Sequence, residues 1–186
     1  MPRSDTGGWK HQSDLREGLP GGDESEVAGQ KFNWHGLSNV DLKGRLSVPA
    51  AYRQTIEARG GGREILMSKH PHAPCIVCYD RGFEEELDQD LKDQKKIELE
   101  RGDNISFFRR HRGIYSTTAP VSWDSSGRVI LPDYLRDRAH IEGAALFVAF
   151  GDGFEIWDPQ TALEQKEDED LRELAAYHLR QKGAAS

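Results

Sequence analysis

The stretch Asp41-Leu42-Lys43-Gly44-Arg45-Leu46-Ser47-Val48-Pro49-Ala50-Ala51-Tyr52-Arg53 aligns without gaps to a second stretch 83 residues further on. That second copy reads Asp124-Ser125-Ser126-Gly127-Arg128-Val129-Ile130-Leu131-Pro132-Asp133-Tyr134-Leu135-Arg136. Five identities in register define a skeleton: Asp, two variable residues, Gly-Arg, three β-prone residues, Pro, three residues, Arg. Asp accepts backbone hydrogen bonds in a turn, and a glycine three residues on supplies the positive φ such a turn needs. Short strands are therefore expected at 46–48 and 129–131. Pro49 and Pro132 stand where a helix begins, because its first turn tolerates a missing N–H. In the helix that follows, Tyr52 and Ile56 share one face in the first copy, Leu135 and Ala139 in the second.

Working outward, each copy is followed by two apolar runs that read as a strand pair. They are Ile65 to Met67 with Cys75 to Tyr79, and Ala145 to Phe150 with Phe154 to Trp157. Gly151-Asp152-Gly153 between the latter two signals a hairpin, and Gly60, Gly61 and Gly62 lengthen the connection in the first copy as a flexible linker. One copy of about 45 to 50 residues is too small to bury a good core alone, so the two are expected to pack about a pseudo-twofold. The fold class is thus mostly β with short helices (α+β).

Five segments follow. Residues 1–31 form an N-terminal extension, 32–83 the first repeat, 84–114 an acidic helix and basic connector, 115–158 the second repeat, and 159–186 a C-terminal helix and tail. The first 30 residues hold six glycines and few apolar side chains beyond Trp9, Leu15, Leu19 and Val27, which predicts disorder. A helix over about 83–100 carries Phe83, Leu87 and Leu91 on one face. Another over about 160–180 carries Leu171, Leu174, Ala175, His178 and Leu179.

The net charge of −7 sits mostly at the ends: residues 1–30 carry 3 basic and 6 acidic side chains, and 158–186 carry 4 and 7. Residues 31–157 hold 18 bases against 19 acids, so the overall sign does not exclude a nucleic-acid partner. No apolar run approaches the roughly 18 to 20 residues of a membrane span. The absence of an apolar leader near Met1 predicts a cytosolic protein.

The duplicated motif, together with Phe154-Glu155-Ile156-Trp157-Asp158, resembles the MraZ family of bacterial transcriptional regulators over about residues 32–160. The resemblance implies tandem AbrB-type (SpoVT/AbrB) swapped-hairpin modules forming a double-split β-barrel with peripheral helices. It further implies a nucleoid-associated, ring-shaped homo-oligomer that binds promoter direct repeats in double-stranded DNA. Such a protein represses the division and cell-wall gene cluster containing its own gene. Arg45 and Arg128 would reach into the major groove at G-rich repeats, assisted by Lys43, while Asp41, Gly44, Asp124 and Gly127 shape the turns. Ser126 stands where the first copy has Lys43, so the two loops contribute unequally.

The plain alternative for Arg45 and Arg128 is pairing with Asp41 and Asp124 to fix the turn. Both roles are compatible, since such a pair orients the guanidinium fork before it meets guanine O6 and N7. Arg109, Arg110 and Arg112, around His111, form the densest basic run, and two readings stand: phosphate contacts or a solvated loop between the copies. His70, His72, Cys75 and Cys78 superficially offer zinc ligands, but residues three apart on a strand point to opposite faces. No metal or other cofactor is expected. No nucleophile elbow or phosphate loop is present, so the chain is read as a non-enzyme. An antitoxin-like or scaffold module gripping another protein is the alternative function, although antitoxins generally carry one module and a disordered tail.

Overall fold

A computed structural model describes residues 30–100 and 104–184; the disorder expected of the N-terminal extension, 1–31, lies outside them except for Gln30 and Lys31, the latter paired with Asp152. The order β-β-α-β-β occurs twice. The first set is β1 (His35–Asn39), β2 (Arg45–Ser47), α1 (Ala50–Ala58), β3 (Glu64–Lys69) and β4 (Ile76–Tyr79). A helical hairpin follows, α2 (Arg81–Glu100) and α3 (Asn104–Tyr115). The second set is β5 (Ala119–Ser122), β6 (Arg128–Ile130), α4 (Asp133–Arg138), β7 (Ala144–Ala149) and β8 (Phe154–Trp157), with α5 (Pro159–Leu163) and α6 (Glu169–Ala184) after it.

The described strands form a six-stranded antiparallel sheet in the order β1-β7-β8-β4-β3-β5, and a separate two-stranded ribbon of β2 and β6. Each repeat lends its first strand to the other. β1 pairs with β7, Leu37 facing Leu146, and β5 pairs with β3, Ile65 facing Val121. The two hairpins meet edge to edge where Cys78 faces Phe154 and Ile76 faces Ile156. This exchange makes neither repeat complete without its twin. The sheet is open, with β1 and β5 at its edges; the described strands do not close into a barrel.

The main core lies between one face of the sheet, the underside of the ribbon, and α1 and α4. Leu46, Val48, Tyr52 and Ile56 meet Val129, Leu131, Leu135 and Ala139 there, with Phe147 and Phe154 beneath them. Every helix residue expected to face inward from α1 and α4 is buried. Tyr52 also donates its hydroxyl to the Trp34 carbonyl at 2.8 Å, so its polar end is satisfied as its ring packs. A smaller cluster on the opposite face joins Cys75, Leu146 and Trp157 to Ala162, Leu171 and Ala175 of α5 and α6. Cys78 belongs to the first cluster and Cys75 to the second, on the two faces of the sheet as the strand period requires. Burial pushes both thiols up.

Several boundaries differ from the sequence reading. The ribbon strands start one residue early, at the arginines, because Asp41 N donates to Arg45 O and Asp124 N to Arg128 O, both at 2.9 Å. Pro49 and Pro132 occupy the residue before the first helical turn. The single C-terminal helix expected at 160–180 is two helices: Asp158 accepts from Thr161 N at 2.8 Å and Asp168 from Leu171 N at 2.9 Å, each starting its own turn. Asp80 likewise caps α2 through Phe83 N at 3.0 Å, and its buried carboxylate pairs with Arg59 at 2.8 Å. The basic connector is helical: Arg109, Arg110 and Arg112 lie on α3, which packs against α2 through Tyr115 Oη to Asp88 at 2.7 Å. No described helix is long and apolar enough to cross a membrane.

Candidate nucleic-acid interface

The two turns preceding β2 and β6 superimpose in their chemistry. In the first, Asp41 Oδ1 accepts from Lys43 N and Arg45 N, both at 2.9 Å, and Oδ2 accepts from Arg45 Nε at 2.7 Å. In the second, Asp124 Oδ1 accepts from Ser126 N at 2.8 Å and Arg128 N at 3.0 Å, while Oδ2 meets Arg128 Nε at 3.0 Å and Nη2 at 2.9 Å. Gly44 N donates to Asp41 O and Gly127 N to Asp124 O, each at 2.9 Å. These glycines have φ of 73° and 75°, a region in which a side chain is strained. Arg45 N–H bonding holds the Asp41 carboxyl below its ordinary range, and Arg128 does the same to Asp124. Both carboxylates thus stay charged beside their arginines.

Strand period then decides where the arginines point. In the ribbon Arg45 faces Ile130, Leu46 faces Val129 and Ser47 faces Arg128. Leu46 and Val129 turn into the core; Arg45, Ser47, Arg128 and Ile130 turn outward. The two arginines therefore share one face on a diagonal, about 7–8 Å apart at the backbone. Their side chains are about half exposed, so the ion pairs orient them without hiding them. Pro120, Val121 and Ser122 of β5 border the same shallow groove.

The final arginine of each copy of the skeleton has a role that the sequence reading did not assign. A Cβ on Gly127 would come within 2.6 Å of the Arg53 guanidinium, and one on Gly44 within 2.9 Å of Arg136 Nη1. Each repeat thus places its last arginine under the turn of the other. Arg53 Nε is anchored on the Val48 carbonyl at 3.2 Å, and Arg136 pairs with Asp133 at 3.5 Å. Identity of this arginine in both copies was the available signal.

Of the other candidates, Lys43 is exposed on the first turn, next to the ribbon. Arg109, Arg110 and Arg112 are not gathered with it: their helix packs on α2, and Arg110 Nη1 donates to Gln94 at 2.9 Å. His70 is turned toward its own loop, accepting from His72 N at 3.2 Å and Ala73 N at 2.9 Å through Nδ1. Among the described residues no group of three or more His, Cys, Asp or Glu is placed to hold a metal.

A half-exposed pair of arginines, each oriented by a carboxylate, stands on one outward face of a two-stranded ribbon. A family model described as "MraZ protein, putative antitoxin-like" matches residues 114–180, the second repeat with α5 and most of α6. Over 154 residues the chain is 31% identical to the transcriptional regulator MraZ of Ruegeria pomeroyi, covering 79% of this chain and 84% of that protein. It is 30% identical over 153 residues to the transcriptional regulator MraZ of Gluconacetobacter diazotrophicus, covering 79% and 93%. The chain belongs to the MraZ family.

Proposed function

We propose that this protein is a transcriptional regulator that binds double-stranded DNA in a sequence-specific way through the outer face of the β2–β6 ribbon. The carrying observation is that both Gly-Arg arginines share that face, each held by its own Asp. A two-stranded ribbon fits the major groove, and the guanidinium fork matches guanine O6 and N7. Relatives bearing the name transcriptional regulator MraZ support the reading. In this reading the exchange of first strands is a swapped hairpin, with the ribbon completing a double-split barrel. Subunits assemble as a ring along promoter direct repeats, and the combined effect of several weak contacts is strong binding through effective concentration. The regulated genes are the division and cell-wall cluster containing the protein's own gene, with repression as the outcome, in the cytoplasm at the nucleoid. Arg109, Arg110 and Arg112, exposed on α3, are assigned at most phosphate contacts, and the protein is not an enzyme.

The test is an anisotropy titration of duplex from upstream of the gene cluster against a scrambled duplex, at two salt concentrations. If about six phosphates are neutralised, affinity falls on the order of 1,000-fold between 50 and 200 mM salt. Preference for the upstream duplex supports the reading; equal binding to both contradicts specificity, and binding to neither contradicts DNA as the partner. The description "antitoxin-like" favours a second reading, a protein-interaction module. A stoichiometric protein partner recovered together with absent DNA binding would establish it.

A further inference from the structure

The ribbon has two-fold backbone symmetry, but its outward side chains do not. Ile130, opposite Arg45 in the ladder, is 59% exposed, and Leu42 at the crest of the adjoining turn is fully exposed. Their counterparts in the other half are Ser47, opposite Arg128, and Ser125. The first turn abuts the Ile130 end of the ribbon, since Leu131 N donates to Gly44 O at 3.0 Å. Arg45 thus has Ile130 across the ladder and Leu42 three residues before it, where Arg128 has Ser47 and Ser125.

Packing does not require this. Leu46 and Val129 already supply the ribbon's buried side, and the Leu42 side chain is entirely in solvent. A lone exposed aliphatic residue is ordinary. Two of them at the Arg45 end of the ribbon, Ile130 in the ladder and Leu42 in the adjoining turn with Lys43 next to it, make a surface of mixed character. The cations favour a polyanion over an apolar protein surface. In the major groove the apolar feature of DNA is the C5-methyl group of thymine, which neither cytosine nor a purine offers there.

We propose that Leu42 and Ile130 make the Arg45 half of the ribbon a reader of thymine C5-methyl groups beside the base that Arg45 contacts. The Arg128 half, with Ser47, Ser125 and Ser126, reads by hydrogen bonding alone. This rests on the DNA-binding reading above and adds base selection to it. A face with unlike halves has a polarity, so each subunit binds its site in one orientation.

The test compares the upstream duplex with the same duplex in which deoxyuridine replaces every thymidine, which removes the methyl groups and keeps base pairing. Wild-type protein is expected to lose about fourfold in affinity for each methyl it packs against. The Leu42→Ser/Ile130→Ser variant is expected to bind the thymidine duplex more weakly and to show no difference between the two duplexes. A Ser47→Ala/Ser125→Ala variant keeps the wild-type methyl sensitivity. Wild-type protein that prefers upstream over scrambled duplex yet ignores the methyl groups overturns the inference and leaves the function standing. Equal losses by wild type and the Leu42/Ile130 variant overturn it too, placing the effect in the DNA. Failure of wild type to prefer upstream over scrambled duplex removes the functional reading and this inference with it. The wild-type comparison needs no variant, so a variant that misfolds does not rescue the idea.

Discussion

The turn at Asp41 and the turn at Asp124 use the same atoms in the same bonds, yet the surfaces around them differ. Around Arg45 stand Leu42, Lys43 and Ile130; around Arg128 stand Ser125, Ser126 and Ser47. Three of the five identities serve the turn frame: the Asp that gathers N–H groups, the glycine at positive φ, and the arginine beneath the opposite turn. The copies differ in size-exchanged core residues, such as Leu46 against Val129 and Tyr52 against Leu135, and in the outward residues beside the arginines. The turn frame is thus shared, while the outward face of the ribbon keeps its two arginines and differs around them.

The buried centre of the ribbon gives the largest expected effect. Leu46 and Val129 face one another, both buried, so Leu46→Ala is expected to cost about 2–5 kcal/mol by denaturant unfolding. Val129→Ala removes fewer methyl groups and should cost less; a larger loss at Val129 would show that the two strands are not equivalent in the core. Next come the turns. Gly44→Ala and Gly127→Ala force a Cβ into positive φ and against an arginine, and each should lower stability by about 1 kcal/mol or somewhat more. Nearly equal losses would uphold equivalence of the two frames. A strong effect at one and none at the other would break it.

Two pH effects are smaller. Asp41 and Asp124 both titrate below the ordinary 3.8, so their contribution is complete above that value and is lost as pH falls through the lowered ones. Carboxyl resonances followed by NMR should move together; a wide separation would mean that the turns are electrostatically unlike. Elsewhere, His35 Nδ1 and His178 Nε2 meet at 2.8 Å between β1 and α6. Burial, then His35, lowers the His178 pKa below 6.5, and Asp170, Glu173 and Arg180 border the same groove. The neutral imidazole is favoured in the folded state, so this contact stabilises above pH 6.5 and weakens as pH falls through the lowered value. Amide hydrogen exchange in α6 should quicken at acid pH while α1 is unchanged. Equal change in both helices would assign the effect to global unfolding.

Much of this was legible in the chain because the repeat samples one backbone twice. Asp, Gly and Arg at fixed spacing encoded the turns, and Tyr52, Ile56, Leu135 and Ala139 encoded the inner faces of two short helices. Beyond the swapped hairpins that the family resemblance implies, the residues themselves did not show the exchange of β1 and β5, since which hairpin a strand joins is a tertiary choice that period-two patterning does not carry. The break between α5 and α6 was written in Asp158 and Asp168, two caps within a continuous helical pattern. Arg109, Arg110 and Arg112 read as connector because charge was their strongest signal, whereas α3 docks on α2 through Arg110 to Gln94 and Tyr115 to Asp88. In the candidate site, Arg45 and Arg128 were singled out by the repeat together with the family resemblance; the packing of Arg53 and Arg136 under the glycines needed three dimensions.

The most direct measurement is binding of the Arg45→Ala/Arg128→Ala variant to the upstream duplex, with thermal unfolding recorded in parallel. Each lost guanine contact is expected to cost about 10- to 100-fold, so preference for the upstream over the scrambled duplex should vanish. The melting temperature should stay close to that of the wild type, because both side chains are half exposed. Undiminished preference for the upstream duplex would contradict the account. So would loss of the folded state, which would make the two arginines parts of the turns and nothing more.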